Sequence, residues 1–360
     1  MTPPLADYTT LGLGGPARAF ATASNEADLI EAVRTADAAG DPVLLIGGGS
    51  NLIIADEGFP GSVIHINTRG VDYRQAGRAD GAGRAGGAHD AVDVTVAAGE
   101  DWDGVVAAAV AEGLAGLEPL SGIPGRAGAT PIQNVGAYGR EVAEVITRVR
   151  AYDRQEDQIR VIGNEKCLFA YRTSLFKAGP RYVVLDVTFR LSRQALSVPV
   201  RYAELAAELG VAMGDRVGTG EVRSAVLKIR ARKGMVINPG DPDTRSAGSF
   251  FTTPVLTAGE FTRLEAAAAA RAAGPVPRYQ ADGGLVKVPA AWLIEHAGFA
   301  KGYGAPGPAR VSSKHTLALV NAGHATTADL LALAREIVAG VRAAFGVTLS
   351  PEPTLIGVTL

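Results

Sequence analysis

Six consecutive residues, Gly-Gly-Gly-Ser-Asn-Leu at 47–52, have the composition of a phosphate-binding turn. Consecutive glycines let backbone N–H groups approach a phosphate closely, and Ser50 and Asn51 add side-chain donors. The turn follows an apolar run at 42–46 that predicts a buried strand. It is not a Walker loop, since no Gly-Lys-Ser/Thr follows, and the Gly-x-Gly-x-x-Gly spacing of a dinucleotide fold is absent. Taken alone, the turn is equally consistent with an ordinary strand end.

A second glycine-rich segment, residues 121–139, is more informative because it contains five glycines and two prolines together with polar residues. The glycines and prolines give the backbone a winding path. Ser121, Thr130, Gln133 and Asn134 supply polar contacts suited to a planar heteroaromatic ligand. Long ordered loops usually carry function, so we predict that this loop binds a ligand.

The composition excludes several classes of protein. With 35 basic and 37 acidic residues the net charge is -2, so no basic field exists to capture nucleic acid. The single cysteine, Cys167, excludes an intrachain disulfide, and the five dispersed histidines lack zinc-site spacing, so we predict no metal. No basic leader or long uncharged apolar segment occurs, which predicts a cytoplasmic protein with no membrane contact. We expect a monomer whose partners are small molecules.

Hydrophobic periodicity predicts the elements that position the two glycine-rich segments. An apolar stripe of helical spacing follows the capping residue Ser24 and ends at Gly40, and a second helix follows the cap Asp101. Residues 74–90 have no period and are predicted to form a surface insertion. Apolar and β-branched runs predict strands at 42–46, 63–66, 92–97, 146–152 and 182–191.

The second half of the chain is predicted to contain four helices. Two of them cover 219–232 and 261–273, a third has Pro289 at its first position, and Thr327 caps the last. The composition changes near residues 192–200, which predicts a domain boundary there. No internal repeat is found, so a solenoid is excluded.

Four motifs in order carry a resemblance to a known family. They are the turn at 47–52, the loop Ser-Gly-Ile-Pro-Gly through Pro-Ile-Gln-Asn-Val-Gly-Ala-Tyr-Gly at 121–139, Tyr-Arg-Thr-Ser-Leu-Phe-Lys at 171–177, and Ala-Gly-Ser-Phe-Phe at 247–251. Together they resemble the UDP-N-acetylenolpyruvoylglucosamine reductases, flavoenzymes that complete UDP-N-acetylmuramate for peptidoglycan. The resemblance runs from Thr9 to Gly357, nearly the whole chain.

The resemblance implies an α+β fold with two domains. Residues 1–195 would form a two-lobed FAD-binding module of the vanillyl-alcohol-oxidase type, and residues 196–360 a C-terminal α+β substrate-binding domain whose last residues return to the active site. It also implies non-covalent FAD, NADPH as the hydride source, and UDP-N-acetylglucosamine enolpyruvate as substrate. The positions that would hold FAD are Gly47, Gly48, Gly49, Ser50, Asn51, Leu52, Ser121, Gly122, Ile123, Pro124, Gly125, Ala129, Thr130, Gln133, Asn134, Gly136 and Ala137.

Arg172, Ser249 and Glu352 match the family's catalytic positions. Hydride delivery to the enolpyruvyl methylene carbon leaves negative charge on the adjoining carbon and its carboxylate, which the guanidinium of Arg172 would stabilise. Glu352 would hydrogen-bond the acid form of the substrate as it develops. Ser249 would donate the proton to the carbon on which the negative charge develops. Outside the motifs, each residue has an ordinary alternative: a surface arginine, a turn serine and a solvated glutamate.

The resemblance also implies contacts with the substrate. Tyr138 would lie near the substrate or the nicotinamide, and Tyr202 resembles the tyrosine of a substrate-covering loop in one subclass of the family. Lys233 fits a diphosphate-binding lysine. The alternatives are a strand-edge tyrosine for Tyr202 and a surface lysine for Lys233.

Four positions depart from the family pattern. Thr253 stands where an asparagine usually contacts the uracil, and Thr354 stands where an arginine is common, so one diphosphate contact is in doubt. His296 stands where many members of the family have a glutamine. Alternatively, it is a core histidine on the helix that carries Trp292. Tyr279 is shifted by one residue from the family's tyrosine.

Two other functions remain as alternatives. One is an oxidase on the same FAD scaffold that uses O₂ and a phenolic or sugar alcohol. The other is a regulator that binds a UDP-sugar without turnover. Ser249 and Glu352 favour the reductase, because an oxidase has no reason to place this pair together.

Overall fold

The computed structural model describes residues 2–76 and 91–360, and the chain divides into two compact units. The first unit comprises residues 1–17, 49–59 and 232–360, and the second comprises residues 18–48 and 60–231. The insertion predicted at 74–90 lies outside the described residues except for Arg74, Gln75 and Ala76, of which the first two end an exposed strand. Both units mix helices with strands, which confirms the predicted α+β class.

The helices predicted from the apolar stripes are all present, with small shifts of their ends. A short helix that was not predicted, α3, precedes the helix at 219–232. The α-helices of the described residues are α1 (Glu26–Ala38), α2 (Trp102–Ala111), α3 (Ala203–Leu209), α4 (Thr219–Arg232), α5 (Ala258–Ala270), α6 (Ala290–His296) and α7 (Thr327–Phe345).

Three predicted helix starts were wrong by one residue. Asn25, not Ser24, caps α1, because its Oδ1 accepts the Asp28 N–H at 2.9 Å. Thr326, not Thr327, caps α7 in a reciprocal capping box with Asp329. Pro289, predicted as the first residue of α6, is its N-cap, so the helix begins one residue later than predicted. Asp101 caps α2 as predicted.

Each predicted strand is confirmed. The strands of the described residues are β1 (Ala17–Ala23), β2 (Val43–Ile46), β3 (Leu52–Ile54), β4 (Phe59–Ile66), β5 (Val71–Gln75), β6 (Ala91–Ala97), β7 (Leu114–Ala115), β8 (Gly136–Ala137), β9 (Arg140–Glu141), β10 (Ile146–Asp153), β11 (Gln158–Gly163), β12 (Tyr182–Arg193), β13 (Val255–Leu256), β14 (Tyr279–Gln280), β15 (Val286–Lys287), β16 (Ala309–Val311), β17 (Leu319–Asn321) and β18 (Thr354–Ile356).

The second unit has two main sheets and a two-stranded antiparallel sheet formed by β8 and β9. The larger sheet has the order β11-β10-β12-β6-β5, is antiparallel throughout, and pairs β7 with the end of β12. Helix α2 buries Trp102 and Val106 in the core that contains the alternating valines of β6. The smaller sheet has the order β1-β4-β2, and α1 packs Leu29 and Val33 into a core with residues of β4 and β12. Helices α3 and α4 share a separate apolar cluster.

The first unit has three small sheets and one large apolar core. The predicted stripe of α7 is buried there, since Leu330, Ala334, Ile337 and Val341 are inaccessible to solvent. Strand β18 pairs with β3 in parallel, which brings the last residues of the chain beside the strand that follows the 47–52 turn. The domain boundary predicted at residues 195 and 196 stays a prediction. None of the helices in the described ranges is long and apolar enough to span a bilayer.

Candidate active site

Gly47 and Gly48 both contact the 121–139 loop, but only Gly48 meets its backbone. A Cβ atom on Gly48 would lie 2.8 Å from Cα of Gly125, and one on Gly47 would lie 3.1 Å from Cγ of the Arg126 side chain. A larger residue at position 48 would push the two segments apart. The second unit therefore contains the kind of close backbone approach that a diphosphate-binding turn requires.

Position 49 must be a glycine for a different reason. Its φ is +57° and a Cβ there would lie 1.8 Å from the carbonyl oxygen of Tyr8. In the same unit, the amide of Asn51 donates to the carbonyl of Glu352 at 3.4 Å, and the Thr354 N–H donates to the carbonyl of Asn51 at 2.9 Å. The residues after Gly49 are thus joined to the C-terminal segment.

Backbone hydrogen bonds hold the middle of the 121–139 loop against the start of α2. The Trp102 N–H donates to the carbonyl of Gly125 at 3.1 Å, and the Ala127 N–H donates to the carbonyl of Glu100 at 2.9 Å. Gly122 and Gly125 both have positive φ, which few other residues tolerate. The loop is ordered by its own backbone.

Three polar side chains of this loop bond within the chain itself. Ser121 Oγ donates to the carbonyl of Glu118 at 2.7 Å, and Thr130 Oγ1 donates to the carbonyl of Ala127 at 2.7 Å. The amide of Asn134, which is buried at positive φ, donates to Glu141 Oε2 at 2.7 Å. These side chains shape the loop, and their contact with a flavin ring stays a prediction.

The sequence analysis missed an ion pair that holds Gly122. Arg223 in α4 donates two hydrogen bonds to the carboxylate of Asp103, at 2.6 and 2.8 Å. The same carboxylate accepts the Gly122 N–H at 2.6 Å. Burial alone would raise the pKa of Asp103, but the hydrogen bonds from Arg223 and Gly122 outweigh it and lower that pKa.

A second arginine of α4, Arg230, binds the same glycine and a predicted substrate residue. It is only 8% exposed, its Nε donates to the carbonyl of Gly122 at 3.1 Å, and its guanidinium hydrogen-bonds the phenol of Tyr138. Arg223 and Arg230 are seven residues apart, so they share one face of the helix. That spacing was the signal from which both residues could have been found.

Tyr138 packs against Tyr202, the residue predicted to cover the substrate. Their rings meet edge to face with centroids 5.5 Å apart. Burial raises the pKa of Tyr138 to about 12, so its phenol is neutral at physiological pH. Tyr202 is 44% exposed and precedes α3 as its N-cap residue. The structure therefore brings together two of the predicted substrate residues.

Arg172 sits in a tight turn with a φ of +54°. Its Nη2 donates to the carbonyl of Gly136 in β8 at 3.0 Å, and its guanidinium lies over the ring of Tyr171 at 5.2 Å from the centroid. The predicted catalytic cation is thus held beside the end of the 121–139 loop, within one unit.

Ser249 and Glu352 lie on neighbouring segments of the first unit. The Glu352 N–H donates to the carbonyl of Phe250 at 2.8 Å, and Phe251 forms an antiparallel bridge with Pro351. The aromatic rings of Phe250 and Phe251 are fully buried, which anchors this pairing in the core. The structure therefore places Ser249 and Glu352, the predicted proton donor and carboxylic acid, on neighbouring backbone segments.

The remaining predicted residues differ in burial and in their neighbours. Thr253 lines a cavity of about 500 Å³ in the first unit. His296 is half-buried and stacks on Trp292 with ring centroids 4.2 Å apart, and its Nδ1 lies 2.8 Å from the Trp292 carbonyl. Lys233 is half-buried just after α4. Thr354 is exposed in β18, and Tyr279 is 63% exposed.

No cluster of His, Cys, Asp or Glu within residues 2–76 and 91–360 is suited to hold a metal ion. Cys167 is buried, and burial raises the pKa of its thiol to about 12.

Two family models match the chain. Residues 17–162 match a FAD binding domain, and residues 241–356 match the C-terminal domain of UDP-N-acetylenolpyruvoylglucosamine reductase. The reductase of Thermobifida fusca is 56% identical over 99% of this chain and 98% of its own, and that of Streptomyces coelicolor is 55% identical over 99% and 90%. The chain belongs to the UDP-N-acetylenolpyruvoylglucosamine reductase family.

A solved structure of this reductase family supports the same fold. The crystal structure of UDP-N-acetylenolpyruvylglucosamine reductase from Thermus caldophilus aligns with a TM-score of 0.63 at 25% identity, covering 98% of this chain and 97% of that one. The family predicted from the four motifs is confirmed, and with it an FAD-dependent oxidoreductase. The oxidase and the non-catalytic regulator are not favoured.

The described residues also fit FAD on structural grounds. Gly48 is a glycine because a Cβ there would meet the backbone of Gly125, and Nε of Arg126 beside the turn is buried without a hydrogen-bond partner among the described residues. Both features suit a bound anionic cofactor.

Proposed function

We propose that this protein reduces UDP-N-acetylglucosamine enolpyruvate to UDP-N-acetylmuramate, with FAD as hydride carrier and NADPH as hydride source. The observation that carries the proposal is the 56% identity to a reductase of this name over nearly the full length of both chains. The product is a peptidoglycan precursor, so the protein serves cell-wall biogenesis and, through it, cell shape and division. We place it in the cytoplasm as a monomer.

FAD, when bound, supplies a flavin that takes hydride from NADPH and passes it to the enolpyruvyl methylene carbon. The residues proposed to hold it are the glycine turn at 47–49 and the 121–139 loop. In this chain the loop acts mainly through its backbone, since Ser121, Thr130 and Asn134 direct their side chains to neighbouring groups.

Arg172 is proposed to stabilise the charge that develops on the substrate carboxylate. A guanidinium stays charged at every physiological pH and binds a carboxylate through two parallel hydrogen bonds. In the structure its carbonyl accepts from Lys177 Nζ at 2.9 Å and its Nη2 binds Gly136, so the side chain is ordered in advance. Such preorganised donors stabilise a transition state without reorganisation.

Ser249 is proposed to donate the proton to the carbon next to the new C–H bond, and Glu352 to hydrogen-bond the carboxylic acid form. Gly248, with φ of +73°, turns the backbone just before Ser249, and Phe250 behind it is buried. A serine hydroxyl is a weak acid, so this role needs polarisation by a neighbouring group. The adjoining backbone of Glu352 makes its carboxyl the candidate for that group.

The substrate contacts are proposed from the family pattern. Tyr138 and Tyr202 would cover the substrate as one edge-to-face pair, with Tyr138 ordered by Arg230. Lys233 would bind the diphosphate of the UDP moiety, and Thr253 would contact the uracil. His296, which stacks on Trp292 and is bonded through Nδ1, would also contact the substrate.

One experiment tests the reductase against both alternatives: the protein is reduced with NADPH under anaerobic conditions and is then mixed separately with the enolpyruvyl substrate and with O₂. The purified protein is expected to show a flavin spectrum that NADPH bleaches and that UDP-N-acetylglucosamine enolpyruvate restores. A protein whose reduced flavin reacts with O₂ but not with the enolpyruvyl substrate would be an oxidase. A protein that binds the UDP-sugar but cannot hold a reducible flavin would be the regulator.

A further inference from the structure

We propose that Arg126 is a cofactor-binding residue whose guanidinium pairs with the diphosphate of FAD. Arg126 lies in the 121–139 loop between Gly125 and Ala127. It was not among the individual cofactor contacts that the family resemblance implied. Three independent features of the second unit carry the proposal.

The first feature is the position of the side chain. Cγ and Cβ of Arg126 lie 3.1 and 3.2 Å from the point where a Cβ of Gly47 would stand. The stem therefore packs on the first glycine of the turn, and the residue is half-buried. Backbone hydrogen bonds on both sides of Arg126, from Trp102 to Gly125 and from Ala127 to Glu100, fix the start of the side chain.

The second feature is an unused donor. Nε of Arg126 is buried and has no hydrogen-bond partner in the described part of the chain. A buried N–H without an acceptor costs free energy, and native proteins rarely leave one unless a ligand or ordered water supplies the acceptor. A phosphate oxygen supplies it and matches the fork of the guanidinium.

The third feature is the charge around the residue. Burial lowers the pKa of Arg126, and the neighbouring Arg69 lowers it further, while Asp101 and Glu100 raise it. Both acids have other bonds: Asp101 Oδ1 caps α2 by accepting the Gly104 N–H at 2.8 Å, and Glu100 Oε1 accepts the Gly70 N–H at 2.7 Å. Glu100 Oε2 also pairs with Arg69 at 3.4 Å.

His65 also lies near Arg126. Burial lowers the pKa of His65, and the nearby cations Arg126 and Arg69 lower it further. Arg126 and Arg69 thus lie close together, and the nearby carboxylates of Asp101 and Glu100 already accept hydrogen bonds from other groups. The two carboxylates equal the two arginines in number, but neither forms an ion pair with Arg126 among the described residues, so its guanidinium charge is available to a bound anion.

The chemistry recognised is a diphosphate diester, which occurs in FAD and also in the UDP moiety of the substrate. The contact with Gly47 assigns Arg126 to FAD, because that glycine turn is the proposed cofactor cradle. The assignment rests on FAD being the cofactor, which the family establishes.

The test compares flavins that differ in phosphate. Full-length protein stripped of flavin is titrated with FAD, FMN and riboflavin, with binding followed by flavin fluorescence. In Arg126→Met, we expect FAD affinity to fall by about tenfold to a hundredfold, FMN affinity to fall less, and riboflavin affinity to stay unchanged. Arg126→Lys should recover part of the loss, and the dependence of FAD affinity on salt should weaken in Arg126→Met.

Arg69→Met is the matched control, since Arg69 is a nearby arginine that already pairs with Glu100. It should change FAD affinity less than Arg126→Met does. Equal losses for FAD and riboflavin in Arg126→Met would reduce Arg126 to a packing role and overturn the proposal. Unchanged FAD affinity with a raised KM for the UDP substrate would assign the residue to the substrate diphosphate instead. If Arg126→Met does not fold, the same comparison is made with Arg126→Lys and Arg126→Gln.

Discussion

The backbone N–H of Glu352 donates a 2.8 Å hydrogen bond to the carbonyl of Phe250, although 102 residues separate them (352 − 250). Phe250 directly follows Ser249, so this bond brings the two proposed acid groups of the first unit onto adjoining backbone. The buried rings of Phe250 and Phe251 hold the pairing in place. The roles proposed for Ser249 and Glu352 therefore rest on neighbouring backbone segments of one unit.

The first prediction concerns Ser249. Ser249→Ala should leave reduction of the flavin by NADPH intact and slow its reoxidation by the enolpyruvyl substrate by about a hundredfold to ten-thousandfold, since general acid catalysis typically contributes that much. Stopped-flow absorbance of each half-reaction measures the two rates. Ser249→Cys should recover part of the rate, and an equal loss in both half-reactions would contradict the proton-donor role.

The second prediction concerns the glycine contact at the cofactor turn. Gly48→Ala should destabilise the protein by about 1–3 kcal/mol and lower its FAD content, because the new methyl group would meet Gly125 at 2.8 Å. The control is Gly220→Ala in α4, where nothing lies within 4 Å of the added Cβ. That variant should be neutral or slightly more stable. Bound flavin per chain and thermal unfolding are measured for both, and normal flavin content in Gly48→Ala would contradict the close approach.

The third prediction concerns the Asp103 carboxylate. Its pKa is lowered in the folded state by Arg223 and Gly122, so its stabilisation is present above the unfolded pKa and is lost as the pH falls through the folded value. Asp103→Asn should therefore be less stable than the wild type by about 1–2 kcal/mol near neutral pH. The difference should shrink below about pH 4.

Asp72→Asn is the control for that experiment. Asp72 pairs with Arg74 on an exposed strand, where an ion pair contributes little. Chemical denaturation at several pH values measures both variants. A stability difference for Asp103→Asn that does not change between neutral and acidic pH would mean that its charge plays no part in holding Gly122.

The fourth prediction concerns the tyrosine pair. Tyr202→Ala removes an edge-to-face contact with Tyr138, a type of contact that contributes about 0.5–1.5 kcal/mol. We expect KM for the enolpyruvyl substrate to rise severalfold while reduction of the flavin by NADPH keeps its rate. Tyr202→Phe keeps the ring contact and should show a smaller effect on substrate affinity. Tyr279→Phe, at an exposed tyrosine, is the control, and unchanged substrate affinity in Tyr202→Ala would place Tyr202 outside the site.

Much of the local structure could be predicted from the sequence because it depends on neighbours along the chain. The apolar stripe of α7 and the β-branched run of β12 are periodic signals that tertiary packing only reinforced. The glycine turn was predictable for the same reason, since positive φ and close backbone approach require glycine itself. Helix starts were less secure, because Ser24 and Asn25 are both good caps and side-chain geometry chose between them.

Thr327 shows what local preference could not decide. It was predicted as the cap of α7, but its hydroxyl donates to the carbonyl of Ile54 at 2.6 Å, and Thr326 caps the helix instead. The choice depends on a strand far away in the chain, which no local pattern reports.

What the sequence alone determined about this protein is its family, its cofactor class and the two glycine-rich segments, since these follow from motifs whose residue types the backbone conformation demands. What only the tertiary structure decided is which side chains hold those segments in place and which charged groups lie beside them. Arg223 reaches Asp103 across 120 residues, and Arg126 becomes a half-buried cation only because Gly47 packs on its stem. Burial and pairing of charges depend on packing between distant segments, and that information is absent from the spacing of residues along the chain.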